Sequence, residues 1–388
     1  MSQSVLDAIE RGGSHLTVAS TDVYEAVREL SHLFTRQREE LPGDYLEHPR
    51  WLAAYVHYFL PVNLAKIQTL LDEIPRPDFT QPMRVLDIGS GPGTGPLAVV
   101  DWWWSHRPRG CLSVVAVDQS RHALHLTSLM WDAFCRGGPR GQVLLHTHNH
   151  VLDGWQDCSE ILSEGEFDLI IVANSLSEIT ARYQEPTRTI AEGSEFLAAL
   201  LKRLARDGTL MVVEPALRVT SRMLHRIRNR LLEMGICTIY SPCLHDRNCP
   251  ALDHPNDWCH EERPWDPPQS IREIDMAVGF IKDALKFSYL LLRKDGKTIV
   301  ARQSTTYRVV SELRVLKGEK RAWVCNEQGR FEVGRLDRLV SPQNAAFDEI
   351  QRGDVVYIEQ LHRRTRQGTL SSLARIDREA MVSIVRGI

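Results

Sequence analysis

The chain has 388 residues, of which 43% are hydrophobic and 25% charged, and its formal net charge is −3. This length and apolar content suffice for a sizeable core and for two or more domains. The small net charge argues against a protein that coats nucleic acid generally, and no run of 18 apolar residues is present to form a membrane-spanning helix.

The first residues of the chain carry no targeting pattern. Met1 to Arg11 include Asp7 and Glu10 and have no apolar h-region, so neither a secretory signal nor an Arg-rich transit peptide is predicted. We therefore expect a cytoplasmic protein that makes no contact with a membrane.

Charge is unevenly distributed along the chain. Residues 1–80 contain 7 Lys/Arg and 12 Asp/Glu, whereas residues 296–388 contain 17 Lys/Arg and 11 Asp/Glu. The basic C-terminal part could meet a phosphate backbone, and an ordinary solvated surface is an equally good interpretation.

Helical periodicity dominates the N-terminal part. Apolar residues recur at steps of three and four from Tyr24 to Phe34 and from Leu64 to Leu71, and the segment 41–44 (LPGD) interrupts the pattern. We predict a helical N-terminal domain over residues 1–80, which ends in a proline-rich linker.

From Met83 the pattern changes to strands that alternate with helices. The predicted strands are 84–88, 112–117, 142–146, 167–173, 209–214, 238–240 and 287–293, and the predicted helices are 121–134, 192–204, 216–234 and 271–285. This alternation predicts an α/β domain over residues 81–295 with a mostly parallel, doubly wound, Rossmann-like sheet. An irregular Cys-rich insertion, 241–268, precedes the last strand, which we expect to be antiparallel.

Beyond Gly296 the sequence pattern predicts strands joined by turns. Strands are predicted at 308–315, 322–326, 330–336 and 354–359. They indicate a small β-rich, barrel-like C-terminal domain over residues 296–388.

The first strand of the α/β domain runs into a glycine loop, Asp87-Ile88-Gly89-Ser90-Gly91-Pro92-Gly93. Glycines permit a tight strand-to-helix turn and let a ligand approach the backbone closely. The spacing resembles the first motif of class I methyltransferases, whose loop lies under the methionine part of S-adenosylmethionine while a carboxylate such as Asp87 orients it. NAD would fit a similar loop, so a zinc-containing NAD-dependent oxidoreductase is a distant alternative.

Further polar residues are predicted at the strand ends. Asp118 ends the second strand and is placed to accept both ribose hydroxyls, and Asp153 is a weaker candidate for the adenine amino group. Asn174 and Glu178 follow the fourth strand, where an α/β crevice lies. Glu214 ends the fifth strand as a polar wall, a base or a helix cap. Asn174, Glu178 and Glu214 are candidate catalytic residues, but no motif assigns a reaction to any of them.

Three cysteines, Cys243, Cys249 and Cys259, have the spacing C-x5-C-x9-C in the Pro-rich insertion. Thiolate ligation of a metal explains why they cluster in a polar segment. Cys325 is the best remaining thiol for a fourth ligand, and the alternatives are His245, His254 and His260. The spacing by itself favours zinc.

Several segments together resemble one family, the methyltransferase-like proteins of the mitochondrial small ribosomal subunit and their bacterial relatives. These segments are D-x-G-x-G-P-G, A-N-S-L-S-E, P-C-x-H-D-x-x-C-P, W-C-H and F-S-Y-L, and the resemblance covers about residues 20–340. Leu244 departs from the family pattern, which usually has proline there, and the gap before Cys259 is longer than expected.

The resemblance implies a [4Fe–4S] cluster held by Cys243, Cys249, Cys259 and Cys325, with zinc as the alternative. It also implies association with the small ribosomal subunit and its rRNA. Two functions remain open: an S-adenosylmethionine-dependent rRNA methyltransferase, and a non-catalytic assembly factor that binds S-adenosylmethionine structurally. We expect a monomer away from the ribosome. Candidate phosphate contacts are Arg218, Arg222, Arg226, Arg228 and Arg230 on one helix and Arg363, Arg364 and Arg366 near the C-terminus.

Overall fold

The structure is a computed structural model that describes residues 1–136, 142–151, 165–181, 183, 185–366 and 369–387. The chain forms two compact units. Unit 1 consists of Met1–Leu217 and Pro264–Leu285, and unit 2 consists of Arg218–Arg263 and Lys286–Ile388. Unit 1 therefore includes the N-terminal helices, and unit 2 gathers the Cys-rich segment with the C-terminal strands.

The helices and strands follow one another along both units. The helices are α1 Gln3–Gly13, α2 Ser20–Thr35, α3 Pro49–Ala54, α4 Leu60–Leu71, α5 Thr94–Ser105, α6 Arg121–Cys135, α7 Leu176–Ile179, α8 Pro186–Arg203, α9 Arg218–Glu233 and α10 Gln269–Val278. The strands are β1 Met83–Ile88, β2 Leu112–Asp118, β3 Val143–Asn149, β4 Phe167–Ala173, β5 Leu204–Pro215, β6 Thr238–Ser241, β7 Glu261–Pro264, β8 Ala284–Arg293, β9 Thr306–Val309, β10 Arg314–Leu316, β11 Glu319–Asn326, β12 Gly329–Leu336, β13 Val355–Ile358, β14 Leu361–Arg366, β15 Thr369–Ile376 and β16 Val382–Arg386. A π-helical turn, Tyr55–Phe59, joins α3 to α4.

Unit 1 is built on parallel strands in the order β3-β2-β1-β4-β5. The central strands β1 and β4 are apolar along nearly their whole length and almost entirely buried, as expected for parallel strands covered on both faces. The order reverses between β1 and β4, and ligands of such sheets bind beyond the carboxyl ends of the strands at this point. The predicted α/β class I methyltransferase-like fold is confirmed at this level.

Unit 2 contains the antiparallel pair β6 and β8 and a mixed sheet in the order β14-β15-β12-β11-β9-β13-β16. In the mixed sheet only β12 and β15 pair in parallel among the described strands. Its core includes Val324, Phe331, Val333 and Phe347, all fully buried. The antiparallel orientation predicted for the strand at 287–293 is confirmed, whereas closure of the C-terminal strands into a barrel stays a prediction.

Several boundaries differ from the prediction. The helix predicted over 271–285 ends at Val278, because Gly279 (φ 74°) adopts the left-handed conformation that terminates a helix, and Ala284 already belongs to β8. The strand predicted over 308–315 is interrupted between Val309 and Arg314. The short strand β7 inside the Cys-rich segment and the strands β14, β15 and β16 were not predicted, because their residues alternate too weakly between apolar and polar.

None of the helices that the structure describes combines the length and the apolar character needed to cross a membrane.

Candidate cofactor site and cysteine cluster

The glycine loop connects β1 to α5 in unit 1. Gly89, Gly91 and Gly93 have φ values of 71°, 53° and 92°, the left-handed region that favours glycine. Space is restricted as well, because a Cβ on Gly89 would collide with Ser175 and one on Gly93 would lie 2.9 Å from Thr127. The loop thus needs glycine for both its conformation and its packing.

Asp87 lies at the end of β1, directly under the loop. A Cβ on Gly95 would collide with its carboxylate, so the first turn of α5 also approaches Asp87 closely. Burial raises the pKa of Asp87 to about 7, and the charge of Asp118 adds to the rise. Asp87 Oδ2, Ser90 Oγ and Thr94 Oγ1 are buried and form no hydrogen bond of good geometry, although Ser90 lies close enough to Asp87 to lower its pKa. Buried polar atoms are normally paired, so these three are suited to a polar ligand.

Asp118 joins β2 to the loop. Its Oδ2 accepts a hydrogen bond from the Gly91 N–H at 2.7 Å, and its Oδ1 accepts one from the Ser120 N–H at 2.8 Å. The carboxylate therefore fixes the loop, and each oxygen retains a second lone pair for a ligand hydroxyl. The structure brings Asp87, Ser90, Gly91 and Asp118 together. Asp153 lies outside the described residues.

The ends of β4 and β5 provide a second group of polar residues. Asn174 adopts a left-handed φ of 59°, and its N–H donates to the Val213 carbonyl at 2.7 Å. Glu214 is fully buried; its Oε1 accepts from the Ser177 N–H at 3.1 Å, and its Oε2 has no partner. Burial raises the pKa of Glu178 to about 8, against the lowering effect of Arg38. These carboxyl groups lie close enough to one another to interact electrostatically.

The segment between α2 and α3, residues 36–48, contacts the same site, and we call it the roof segment. Arg38 donates to Ser177 Oγ at 2.8 Å, and Gln119 Nε2 donates to the Gly43 carbonyl. Tyr45 is buried within electrostatic range of Asp118 and Glu178. The sequence of this segment indicates only a break between helices, because nothing in its residues shows where it packs.

The four cysteines of the predicted metal site all belong to unit 2. Cys243, Cys249 and Cys259 come from the segment between β6 and β7, and Cys325 lies in β11. Burial raises the pKa of the Cys325 thiol well above its usual value, and each of the other three thiols adds to that rise. The fold therefore gathers the four sulfur atoms within electrostatic range of one another.

The alternative histidine ligands have different surroundings in the structure. His245 Nε2 lies 3.7 Å from Cys325 Sγ, whereas His260 stacks on Trp258 with ring centroids 6.0 Å apart. Within the described residues, no group of three or more His, Cys, Asp and Glu side chains has an arrangement that could hold a metal ion. Metal binding at this cluster stays a prediction.

The backbone around Cys259 is held by two other elements of unit 2. Its carbonyl oxygen lies 2.9 Å from His225 Nε2 of α9 and accepts a hydrogen bond from Ser288 Oγ of β8 at 2.8 Å. Burial lowers the pKa of His225 to about 4, so the imidazole is neutral. Helix α9 thus supports the Cys-rich segment.

The arginines of α9 were candidate phosphate contacts, and the structure gives some of them a different role. Arg222 donates to the carbonyls of Ala251, His254 and Asp257 at 2.7–3.1 Å, and Arg228 is fully buried beside Cys243. Both side chains point inward and organise the Cys-rich segment. Arg226 on the same helix is exposed.

Known proteins resemble this chain in both sequence and fold. The family model described as mitochondrial small ribosomal subunit Rsm22 matches residues 50–338. No curated protein sequence matches the chain significantly.

Solved structures of low identity also match. A putative class I S-adenosylmethionine-dependent methyltransferase from Listeria monocytogenes is 12% identical, with 78% of this chain and 89% of that chain covered and a TM-score of 0.38. A methyltransferase from Geobacter sulfurreducens in complex with S-adenosyl-L-homocysteine is 12% identical, with 60% and 90% covered and a TM-score of 0.32. NSun6 from Pyrococcus horikoshii is 12% identical, with 61% and 52% covered and a TM-score of 0.35.

Proposed function

Because this chain belongs to the mitochondrial small ribosomal subunit Rsm22 family, we propose that it binds S-adenosylmethionine and acts on or with the small ribosomal subunit and its rRNA. The observation that carries the cofactor proposal is the set of buried, unpartnered atoms at the glycine loop, Asp87 Oδ2, Ser90 Oγ and Thr94 Oγ1. A ligand with both hydrogen-bond donors and positive charge satisfies them. S-Adenosylmethionine has an ammonium group and a sulfonium centre, and it supplies an electrophilic methyl group when bound.

In this proposal, the residues of unit 1 have different roles in binding S-adenosylmethionine. Gly89, Gly91 and Gly93 keep the loop free of side chains where the ligand approaches, and Asp118 adds acceptor lone pairs to its role in fixing the loop. Asp87 contributes a carboxylate whose charged form a cationic ligand favours. Asn174 lies at the same carboxyl edge of the sheet.

We propose that Cys243, Cys249, Cys259 and Cys325 hold a [4Fe–4S] cluster, although no group of side chains within the described residues is arranged to hold a metal ion. Four thiols in mutual electrostatic range match the usual donor set of such a cluster. Two guanidinium groups lie beside them: Arg228 near Cys243 and Cys249, and Arg330, which also pairs with Asp257. These positive charges favour thiolates over thiols and so fit a metal-bound state. The role of the cluster in unit 2 would be structural, since bonds from its metal to these thiolates would link β11 to the Cys-rich segment.

A specific observation favours the non-catalytic function as the second candidate. The roof segment lies against the residues where a methyl acceptor is expected, since Arg38 bonds Ser177 and Tyr45 is buried near Glu178. A substrate nucleotide would have to displace these contacts. The arrangement therefore supports cofactor binding more directly than it supports turnover.

Mapping of rRNA methylation distinguishes the two functions. Cells that lack the gene are complemented with the wild-type protein, with Asp87→Asn, or with Asp132→Asn as an exposed control. For an enzyme, one small-subunit methyl mark is lost with Asp87→Asn and restored with the other two proteins. An unchanged methylation map together with defective small subunits contradicts the enzymatic function and favours the assembly function.

A further inference from the structure

Arg228 of α9 is a buried cation whose hydrogen-bond acceptors are all uncharged. Its side chain is fully buried, yet within the described part of the chain it forms no ion pair with a carboxylate. Its hydrogen-bond acceptors are neutral: the carbonyls of His245 at 2.6 Å and Arg247 at 2.7 Å, and Asn229 Oδ1 at 2.8 Å. Burial of an unpaired charge opposes folding because the charge loses its hydration, so the retention of Arg228 calls for a compensating anion.

The groups nearest to this charge are thiols. Cys243 and Cys249 are the strongest electrostatic neighbours of the guanidinium, and Asp246, which forms its ion pair with Arg302, acts on it more weakly. Asn229 Oδ1 accepts from both Arg228 and the Cys249 N–H, which lies 3.1 Å away, so the two residues share one acceptor. Arg228 is thereby fixed next to two of the four cysteines.

The other cations near the Cys-rich segment have different surroundings. Arg330 forms an ion pair with Asp257, and Arg302 forms one with Asp246 at 2.6 Å. Arg222 donates to four backbone carbonyls and is only half-buried. Arg228 combines full burial, the lack of a carboxylate partner and contact with a cysteine.

We propose that Arg228 is the positioning residue that compensates the negative charge of the metal group held by the four cysteines. This inference rests on the proposed cluster. Four thiolates outweigh the positive charge of an iron–sulfur core, so the bound group is an anion, and its reduction adds further negative charge. A fixed cation beside Cys243 stabilises the reduced form and raises the reduction potential, in line with the dependence of such potentials on charge and on hydrogen bonds to the sulfur atoms.

The test compares three variants of the full chain after anaerobic reconstitution with iron and sulfide. Arg228→Gln removes the charge but keeps an amide donor, Arg228→Lys keeps the charge, and Arg226→Gln is a matched control on the exposed face of the same helix. Circular dichroism and thermal unfolding establish that each variant is folded. The readouts are the midpoint potential of the cluster and the rate at which a chelator bleaches its absorbance.

We expect a more negative potential and bleaching that is several-fold faster for Arg228→Gln, values near wild type for Arg228→Lys, and no change for Arg226→Gln. Equal values for Arg228→Gln and the wild type overturn the inference, as do equal losses in the Gln and Lys variants, which indicate a purely structural role. If Arg228→Gln does not fold, the potential and the bleaching rate of Arg228→Lys decide alone: values near wild type support the inference, and a loss overturns it.

The failure of the cluster proposal is recognised separately. A colourless wild-type protein that contains zinc contradicts the iron–sulfur assignment, and the Arg228 inference is then decided by the rate of zinc loss to a chelator, with the same order of variants expected. A wild-type chain that retains neither metal overturns both proposals.

Discussion

The glycine loop of unit 1 and the cysteine cluster of unit 2 differ in how far apart in the sequence their residues lie. The loop places its polar atoms within one short stretch, Asp87 to Gly95, through left-handed glycines and a hydrogen bond from the Gly91 N–H to Asp118. The cluster depends on residues far apart in sequence, since the contact of His245 with Cys325 joins positions 80 residues apart. A local motif fixes its own geometry, whereas a dispersed one depends on the fold around it.

The two regions also differ in the sign of the buried charge. At the site in unit 1, two of the groups with an unpartnered oxygen are carboxyl groups, Asp87 and Glu214, and they suit a cationic ligand. In unit 2 the uncompensated group is the cation Arg228, which suits an anion. In our proposals, the first site binds a ligand and the second stabilises the fold.

The largest expected effect comes from Cys259→Ser. The substitution removes one proposed metal ligand but leaves the carbonyl that faces His225 and Ser288, so the local backbone retains its hydrogen bonds. We expect loss of stoichiometric metal and a fall of about 4 kcal/mol in the free energy of unfolding, the contribution of a ligand held at a thousand times its Kd. Metal analysis and denaturant unfolding measure both. Cys111→Ser, at an exposed cysteine, is the control, and a Cys259→Ser protein that keeps its metal would break the comparison.

Asp87→Asn tests the loop. Loss of a hydrogen bond to a charged group costs about 1.5–3 kcal/mol, so the Kd for S-adenosylmethionine should rise roughly tenfold to a hundredfold. The free energy of unfolding without ligand should not fall at pH 8, since a buried carboxylate whose pKa is raised to about 7 is replaced by a neutral group. Calorimetric titration and thermal unfolding give the two values, with Asp132→Asn as control. An unchanged Kd would show that the loop does not bind the cofactor through Asp87.

The smallest effect is a pH dependence at the carboxyl groups. The pKa values of Asp87 and Glu178 are raised to about 7 and about 8, from ordinary values of 3.8 and 4.5. The folded protein therefore holds protons that the unfolded chain has released, so stability without ligand is greatest at low pH and decreases as pH rises through these values.

A cationic ligand favours the ionised groups, so its affinity should increase over the same window, by up to roughly tenfold per group. Binding measured between about pH 6 and pH 9 tests this, and Glu178→Gln should flatten the upper part of the profile. Arg38, Glu214 and Asp118 also act on Glu178 and remain in that variant. A profile that is flat in the wild type contradicts the proposal.

Much of the fold was predictable from local patterns. The strand at 167–173 was predicted with its observed bounds, because seven residues from Phe167 to Ala173 are almost all apolar and are flanked by polar residues. The helix predicted over 271–285 was too long, since periodicity continued past Gly279 while the backbone had already turned. The strands β14, β15 and β16 were missed because pairing with their neighbours, rather than their own composition, makes them strands.

Some of the candidate site residues could likewise be predicted from local sequence, whereas others depend on tertiary packing. The glycine loop could be identified from spacing because a left-handed backbone requires glycine wherever it occurs. The contacts of the roof segment could not, because Arg38 and Tyr45 reach the site only through the packing of the N-terminal helices. The burial of Arg228 could not be predicted either, since the sequence of an arginine-rich helix does not show which of its faces is buried.

The sequence by itself predicted the α/β class and the family, which are confirmed. It also predicted the cofactor role of the glycine loop with Asp87 and Asp118 and a metal site of four cysteines, which stay predictions. Only the tertiary structure decided that the Cys-rich segment packs with the C-terminal strands in unit 2, that the roof segment lies against the candidate cofactor site, and that Arg228 is buried. The physical reason is that backbone conformation and hydrophobic periodicity act over a few residues, whereas burial and the pairing of charges depend on which distant segments meet.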